Sequence, residues 1–363
     1  MVSKLPLTAD YMGCLDHDLD VGGEDLAYPT EECTAFADTY RQHRARIQAA
    51  AQETGIDLDG RLEKALAGRK VQFLYSKILS GLRVTAFERG VIDRGDPVEK
   101  ARMRSADGSV SGAWLLSISK CANSTIEPYA FHLISQLRLG IPFSGQANFC
   151  TCRRRLAIDK YGRHIFACEQ FRHLLKNRHD AIVFAIKALA QMGGLRADDR
   201  RLTVFRTIDE DDGKRPDLLL PGFEDDGKDL FLDVTIGTPT CATYVSRAAN
   251  TPHYTLRLLH NRKNDKYLQR CTEIGASFMP MAFETFGAAS EESMGVIAKL
   301  VQRATDVTKI PYPILFNYWK KRIATTLQVQ NARTLVTATR DILNRNDHQE
   351  EAFDAAALLG QIH

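Results

Sequence analysis

The fold turns on Arg215-Pro216-Asp217-Leu218-Leu219-Leu220 and on Leu230-Phe231-Leu232-Asp233-Val234-Thr235-Ile236. Two short apolar runs each carry one aspartate. Between them lies Pro221-Gly222-Phe223-Glu224-Asp225-Asp226-Gly227-Lys228, which is rich in turn formers and predicts a hairpin connection. An antiparallel pair of strands brings Asp217 and Asp233 to one end of a sheet. Neighbouring carboxylates repel each other, so such a pair is commonly kept where a divalent cation neutralises it. Mg²⁺ is typically held by one or two carboxylates plus substrate phosphate, an arrangement suited to phosphodiester cleavage. The alternative is two aspartates at strand ends beside a turn.

Working outward, the pattern alternates. Residues 169–192 read as a long helix stopped by Gly193-Gly194, and residues 202–208 as a strand. After the two aspartate strands come a helix over 254–274 between Pro252 and Gly275, a strand over 277–283 and a helix over 291–304. The order helix, three strands, helix, strand, helix is that of an α/β protein. Residues 316–327 and 332–343 read as two further helices, and the tail from Asn344 as polar apart from 355–359. Upstream, residues 1–30 are expected to be poorly ordered. Residues 31–66 are helical with a break at Gly55, 71–82 form a more apolar helix, and 92–110 a polar loop. Residues 125–139 form a helix ended by Gly140 and Pro142.

The composition, 44% hydrophobic and 26% charged, is that of a globular protein expected to be soluble. A net charge of +3 does not by itself announce a nucleic-acid binder, so local clusters must carry that argument. No apolar h-region follows Met1, so no secretory signal is expected, and no apolar run is long enough to predict a membrane span. Eight cysteines are too dilute for a disulfide scaffold and suit a reducing, intracellular compartment.

Four residues at ligand spacing stand out: Cys150-x-Cys152, His164 and Cys168. Three thiols and one imidazole can close a tetrahedral site, for which Zn²⁺ is the natural ion. Four protein ligands leave no open position, so such a site is structural. Asp159-Lys160-Tyr161-Gly162 offers the turn between the pairs. His173 and His179 in the next helix are lower-ranked substitutes, and free buried cysteines with a stray histidine are the alternative reading. Basic residues cluster in Arg153-Arg154-Arg155 and in Arg257, Arg262, Lys263, Lys266 and Arg270, where positions 263, 266, 267 and 270 share a helix face. Such a face could hold a phosphate backbone, or it could simply be solvated.

Taken in order, Cys150-x-Cys152…His164…Cys168, Arg178-His179-Asp180, Arg215-Pro216-Asp217, Asp233 and Lys263-x-x-Lys266-Tyr267 resemble one family. It is the restriction-like endonuclease region of site-specific non-LTR retrotransposon proteins, a branch of the PD-(D/E)XK nuclease superfamily. Ser111-Gly112-Ala113-Trp114-Leu115 and Leu137-Arg138-Leu139-Gly140-Ile141-Pro142 are similar to the segment that precedes the zinc knuckle in related reverse-transcriptase-associated proteins. The resemblance spans roughly residues 100–310.

The resemblance implies a PD-(D/E)XK nuclease-like core, a central mixed sheet flanked by helices, with a CCHC zinc knuckle and helical N- and C-terminal extensions. The expected divisions are an extension over 1–68, a helical segment over 69–148, the knuckle over 149–169, the nuclease core over 170–310 and C-terminal helices over 311–363. Asp217 and Asp233 would bind Mg²⁺ or Mn²⁺. Lys266 would be the catalytic lysine, with Lys263 behind it and Tyr267 beside it, and His179 would lie near the site on the first core helix. Cys150, Cys152, His164 and Cys168 would bind Zn²⁺. Thr235 stands where the wider superfamily places its lysine. No Tyr-x-Asp-Asp-like sequence marks a reverse-transcriptase domain, so the chain is expected to be a fragment, a standalone relative or a domesticated remnant. The implied activity is metal-dependent nicking of DNA in the nucleus, with a reverse transcriptase or a retrotransposon RNA–protein complex as partner and no membrane. The alternatives are a nucleic-acid-binding or scaffold module that no longer cuts, and a zinc-stabilised interaction protein.

Overall fold

A computed structural model describes residues 96–108, 110–117, 126–142, 148–150, 152–159, 161–198 and 215–359, with a few isolated earlier positions. The chain divides into two compact units, Met1–Gly95 and Asp96–His363, and nearly all described residues belong to the second. The helices expected over 31–66 and 71–82, the strand over 202–208 and the expectation for residues 1–30 lie outside the described residues.

Helix α1, Pro97–Ala106, occupies part of the segment read as a polar loop. The loop reading failed because the helix has a start signal but no apolar stripe. Asp96 caps it, its carboxylate accepting from Val98 N–H at 2.8 Å, and Pro97 sits at the first position, where its missing donor costs nothing. Its buried residues, Ala101, Arg102 and Ser105, are small or polar. A short 3-10 turn, Ala113–Leu116, follows and buries Trp114 edge-on against Phe131 of α2, Pro128–Leu139. The two upstream segments singled out in the sequence meet through Arg138. Its guanidinium donates to Ser111 O at 3.0 Å and Ala106 O at 2.6 Å, so one side chain of α2 caps the end of α1.

A small hairpin, β1 (Asn148–Phe149) and β2 (Ala157–Ile158), leads through two 3-10 turns into α3, Arg172–Met192. Ile182, Ile186 and Leu189 recur at helical spacing on α3 and are fully buried against the sheet. Among the described residues the sheet has three strands. β3 (Leu218–Leu220) pairs antiparallel with β4 (Leu230–Gly237), and β5 (Ser277–Glu284) runs parallel to β4. Asp198 bridges to Leu219 on the outer side of β3. Pro280 lies on β5, at the sheet edge among the described residues, where a residue without an N–H is tolerated. The protein is thus α/β, a small mixed sheet flanked by helices.

Alternation along β4 sorts its side chains. Leu230, Leu232 and Val234 enter the main core with α3, α6 (Glu291–Thr308) and α7 (Tyr312–Leu359). Phe231 turns the other way, against Tyr267 and Cys271 of α5 (Tyr254–Glu273), which follows the short α4 (Val245–Asn250). Truncating any of these fully buried leucines to alanine should cost about 2–5 kcal/mol. α5 comes so close to the end of β4 that a Cβ at Gly237 would meet Leu259 Cδ1 at 2.6 Å and Thr255 Cγ2 at 2.7 Å. Any larger residue there would force Leu259 and Thr255 to shift.

The two C-terminal helices expected over 316–327 and 332–343 are one helix of 48 residues. The polar stretch between them, Gln328 to Asn331, contains neither glycine nor proline. Its amides face inward: Gln328 and Asn331 donate to Thr285 O at 3.2 and 2.7 Å. Among the described residues no helix is long and apolar enough to cross a membrane.

Candidate functional site

The β3–β4 register builds the first half of the site. Leu218 lies opposite Leu232, so Asp217 and Asp233 face each other one rung further along. Asp217 N–H donates to Leu232 O at 2.9 Å, and its carboxylate Oδ2 accepts from Val234 N–H at 2.7 Å. Asp233 shares the face of Phe231 and is almost fully buried. Burial, and then the negative charge of Asp217, push its pKa up, while Lys263 and His179 oppose the shift.

Two cations close on this pair. α3 delivers His179, whose Nε2 lies 3.0 Å from Asp217 Oδ2 and 3.1 Å from Val234 O, and whose Nδ1 lies 3.0 Å from Asp180 Oδ1. Every neighbour is an acceptor, so an imidazolium with both nitrogens protonated satisfies them all. Burial works against that charge, but the Asp217 contact and then Asp180 outweigh it and raise the pKa to about 9. Asp180 is in turn paired with Lys176 at 2.5 Å. α5 delivers Lys263, whose Nζ lies 2.5 Å from Asp233 Oδ2. That oxygen has no directed hydrogen bond, so the contact is ionic. Lys263, Tyr267 and Cys271 are spaced i, i+4, i+8 on the face of α5 that meets the sheet.

Lys266 sits off this stripe. Its Nζ donates to Tyr267 Oη at 2.7 Å, and Tyr267 Oη donates to Arg215 O at 2.9 Å. The structure therefore brings Asp217, Asp233, His179 and Lys263 together, and connects Lys266 and Tyr267 to the backbone that carries Asp217. Sequence reasoning gave Asp180 no role, and its position beside His179 in the Arg178-His179-Asp180 triplet was the available signal. It also gave none to Arg178. That guanidinium is fully buried and donates only to Thr285 Oγ1 and Asn331 Oδ1, at 3.3 and 3.0 Å, with Phe166 beneath it. Burial lowers its pKa to about 10.

The second cluster is local. Cys150 closes β1 and donates its N–H to Leu156 O, and Cys152 starts the reversal to β2. Asp159 Oδ1 accepts from Tyr161 N–H at 2.8 Å, and Gly162, at φ 64°, completes the turn anticipated for this stretch. The following 3-10 turn, Arg163–Ala167, presents His164, and Cys168 lies just beyond. The four ligand atoms lie within 4.8 Å of one another, with Cys150 Sγ 3.6 Å from Cys168 Sγ and Cys152 Sγ 3.5 Å from His164 Nε2. This Cys3His group could hold a metal ion such as zinc. Burial pushes the Cys150 thiol up to about 12 and the Cys168 thiol upward. His173 is exposed and outside the group, and His179 belongs to the carboxylates.

In comparisons with known proteins, the chain matches no family model and no curated protein.

Proposed function

We propose that the chain is a metal-dependent endonuclease that nicks DNA, with Asp217 and Asp233 holding Mg²⁺ or Mn²⁺ and the Cys3His group holding a structural Zn²⁺. The observation that carries this reading is the pair of carboxylates set opposite each other in adjacent strands, with the Val234 carbonyl beside them. The donors are all oxygens, as hard divalent cations prefer. Asp233 Oδ2 is buried against Lys263 Nζ at 2.5 Å, so a metal ion would take the place of that ammonium. When bound, such an ion neutralises phosphate charge and lowers the pKa of a water. Lys263 and His179 are the cationic groups at the carboxylates, placed to pair with phosphate oxygens once a metal takes over the charge of Asp217 and Asp233. The Cys3His module, with Arg153 and Arg154 exposed on it, and the exposed Arg257 and Arg262 of α5 offer basic surface to a phosphate backbone. The order of motifs along the chain supports placing this activity beside the retrotransposon restriction-like endonucleases.

A specific observation favours a second reading. Asp217 is already paired with His179 and Asp233 with Lys263, so the cluster is charge-balanced without a metal. A module that binds nucleic acid without cutting it would look the same. Incubation with supercoiled plasmid and Mg²⁺ or Mn²⁺ separates the two. Open-circular product that disappears in Asp217→Asn supports the nuclease, and plasmid retarded but uncut in both metals supports the binding module.

A further inference from the structure

We infer that Lys266 and Tyr267 are a positioning pair that fixes the backbone presenting Asp217, and that they do not touch the reacting atoms; the inference rests on the reading of Asp217 as a metal ligand. Asp217 leaves the chain one residue after Pro216, which has no N–H to anchor it and a ring-locked φ. The segment is therefore held at its two ends. On one side Asp217 N–H donates to Leu232 O at 2.9 Å. On the other, Arg215 O accepts from Tyr267 Oη at 2.9 Å. Tyr267 is 2% exposed, with its ring centroid 5.2 Å from that of Phe278, which holds the ring that carries the hydroxyl. With the rigid proline between two fixed points, the Cα of Asp217 is placed so that its carboxylate meets Val234 N–H at 2.7 Å and His179 Nε2 at 3.0 Å.

Lys266 completes the device. Its ammonium donates to Tyr267 Oη at 2.7 Å and lies 4.5 Å from the ring centroid. The hydroxyl accepts from the ammonium and donates to the carbonyl, so the two bonds run in one direction and each polarises the next. In this arrangement the phenolic proton is donated to Arg215 O. Lys263, one turn earlier, meets the Asp233 carboxylate directly. The two lysines of α5 thus divide the work: one stands at Asp233, the other steadies the support of Asp217.

The test uses the full chain and Tyr267→Phe, which keeps the ring and removes the hydroxyl. Three quantities are measured: the heat of Mn²⁺ binding that is absent from Asp217→Asn, the plasmid-nicking kcat alongside DNA affinity, and amide exchange at Asp217. The loss of one hydrogen bond should weaken Mn²⁺ binding roughly five-fold and lower kcat by a similar factor, with DNA affinity unchanged. Exchange at Asp217 should accelerate. Lys266→Met should move the same readouts in the same direction by less. Wild-type Mn²⁺ affinity in Tyr267→Phe overturns the inference, and a kcat loss without a change in Mn²⁺ affinity does so too, since it would make Tyr267 catalytic. If the parent protein neither binds Mn²⁺ nor nicks DNA, the nuclease reading fails by itself. The positioning role is then decided by exchange at Asp217, and an unchanged rate overturns it.

Discussion

The Cys3His module and the carboxylate pair are both clusters of metal-ligand types, but they differ in what the protein supplies by itself. In the module, three sulfurs and one imidazole nitrogen converge within 4.8 Å, a group that could hold a metal ion. At the carboxylates every charge is answered: His179 stands on Asp217 and Lys263 on Asp233. The first cluster offers its four ligand atoms to an ion. The second is complete without one and must exchange internal partners to accept one. Proximity of ligands says where an ion fits; the balance of charge around them says whether the fold depends on it.

The largest effect should come from the module. Stripping its metal, or changing Cys150→Ser or Cys168→Ser, should remove an apparent binding energy on the order of 10 kcal/mol from the folded state. Calorimetric melting and metal analysis of the purified protein check this, with about one Zn²⁺ per chain expected. Wild-type melting in both variants, with no zinc, would erase the contrast. Next, Asp217→Ala and Asp233→Ala should each slow nicking about a hundred-fold or more while DNA retention in a gel-shift stays near wild type. Withdrawing Mg²⁺ or Mn²⁺ alone should lower the melting temperature far less than stripping the module, because the internal ion pairs re-form and only the metal-binding linkage is lost. A fall as large as the module's would show that these carboxylates depend on a cation as the module does.

The two lysines give a sharper division. Lys263→Ala removes a cation from Asp233 and should lower kcat about a hundred-fold with little change in DNA affinity. Lys266→Ala should lower it by less than about ten-fold. The reverse ranking would return the catalytic role to Lys266.

The smallest effect concerns an acid that no cation answers. Burial raises the pKa of Glu284, at the end of β5, which faces Leu256 N–H and the hydroxyls of Ser105 and Thr255. Those hydroxyls approach it without a well-directed hydrogen bond. A carboxyl whose folded pKa is raised costs stability once it ionises. Wild-type stability should therefore fall as pH rises from the ordinary glutamate value of 4.5 through the raised folded value. Glu284→Gln should be more stable than wild type at pH 7 and equal to it below pH ~4. Parallel melting curves across that range decide it.

What the sequence disclosed follows the same division. The module was legible because its ligands and its turn at Asp159–Gly162 lie in one short segment. The strands at 218–220, 230–237 and 277–284 were legible from apolar runs bounded by turn formers. That Lys263 stands beside Asp233 is not carried by motif order, although the i, i+4, i+8 stripe of Lys263, Tyr267 and Cys271 points that way. α1 was missed because a helix that buries alanine, serine and arginine has no apolar period. The join in α7 was missed because inward-facing Gln328 and Asn331 look, in sequence, like a solvated break. The partnering of His179 with Asp217 spans α3 and β3, and no local pattern carries it.

α7 runs through both hydrophobic cores. Leu315, Trp319, Ile323 and Leu327 pack with the sheet, and Ala332, Leu335, Ala338 and Ile342 pack with the Cys3His module. A helix turns about 100° per residue, so one residue inserted between Gln328 and Asn331 would rotate one of these sets by that angle relative to the other. No repacking of one core could rescue its neighbour. Sheet and module are phase-locked on a single shaft, and evolution can lengthen the loops around them far more readily than it can shuffle one without the other.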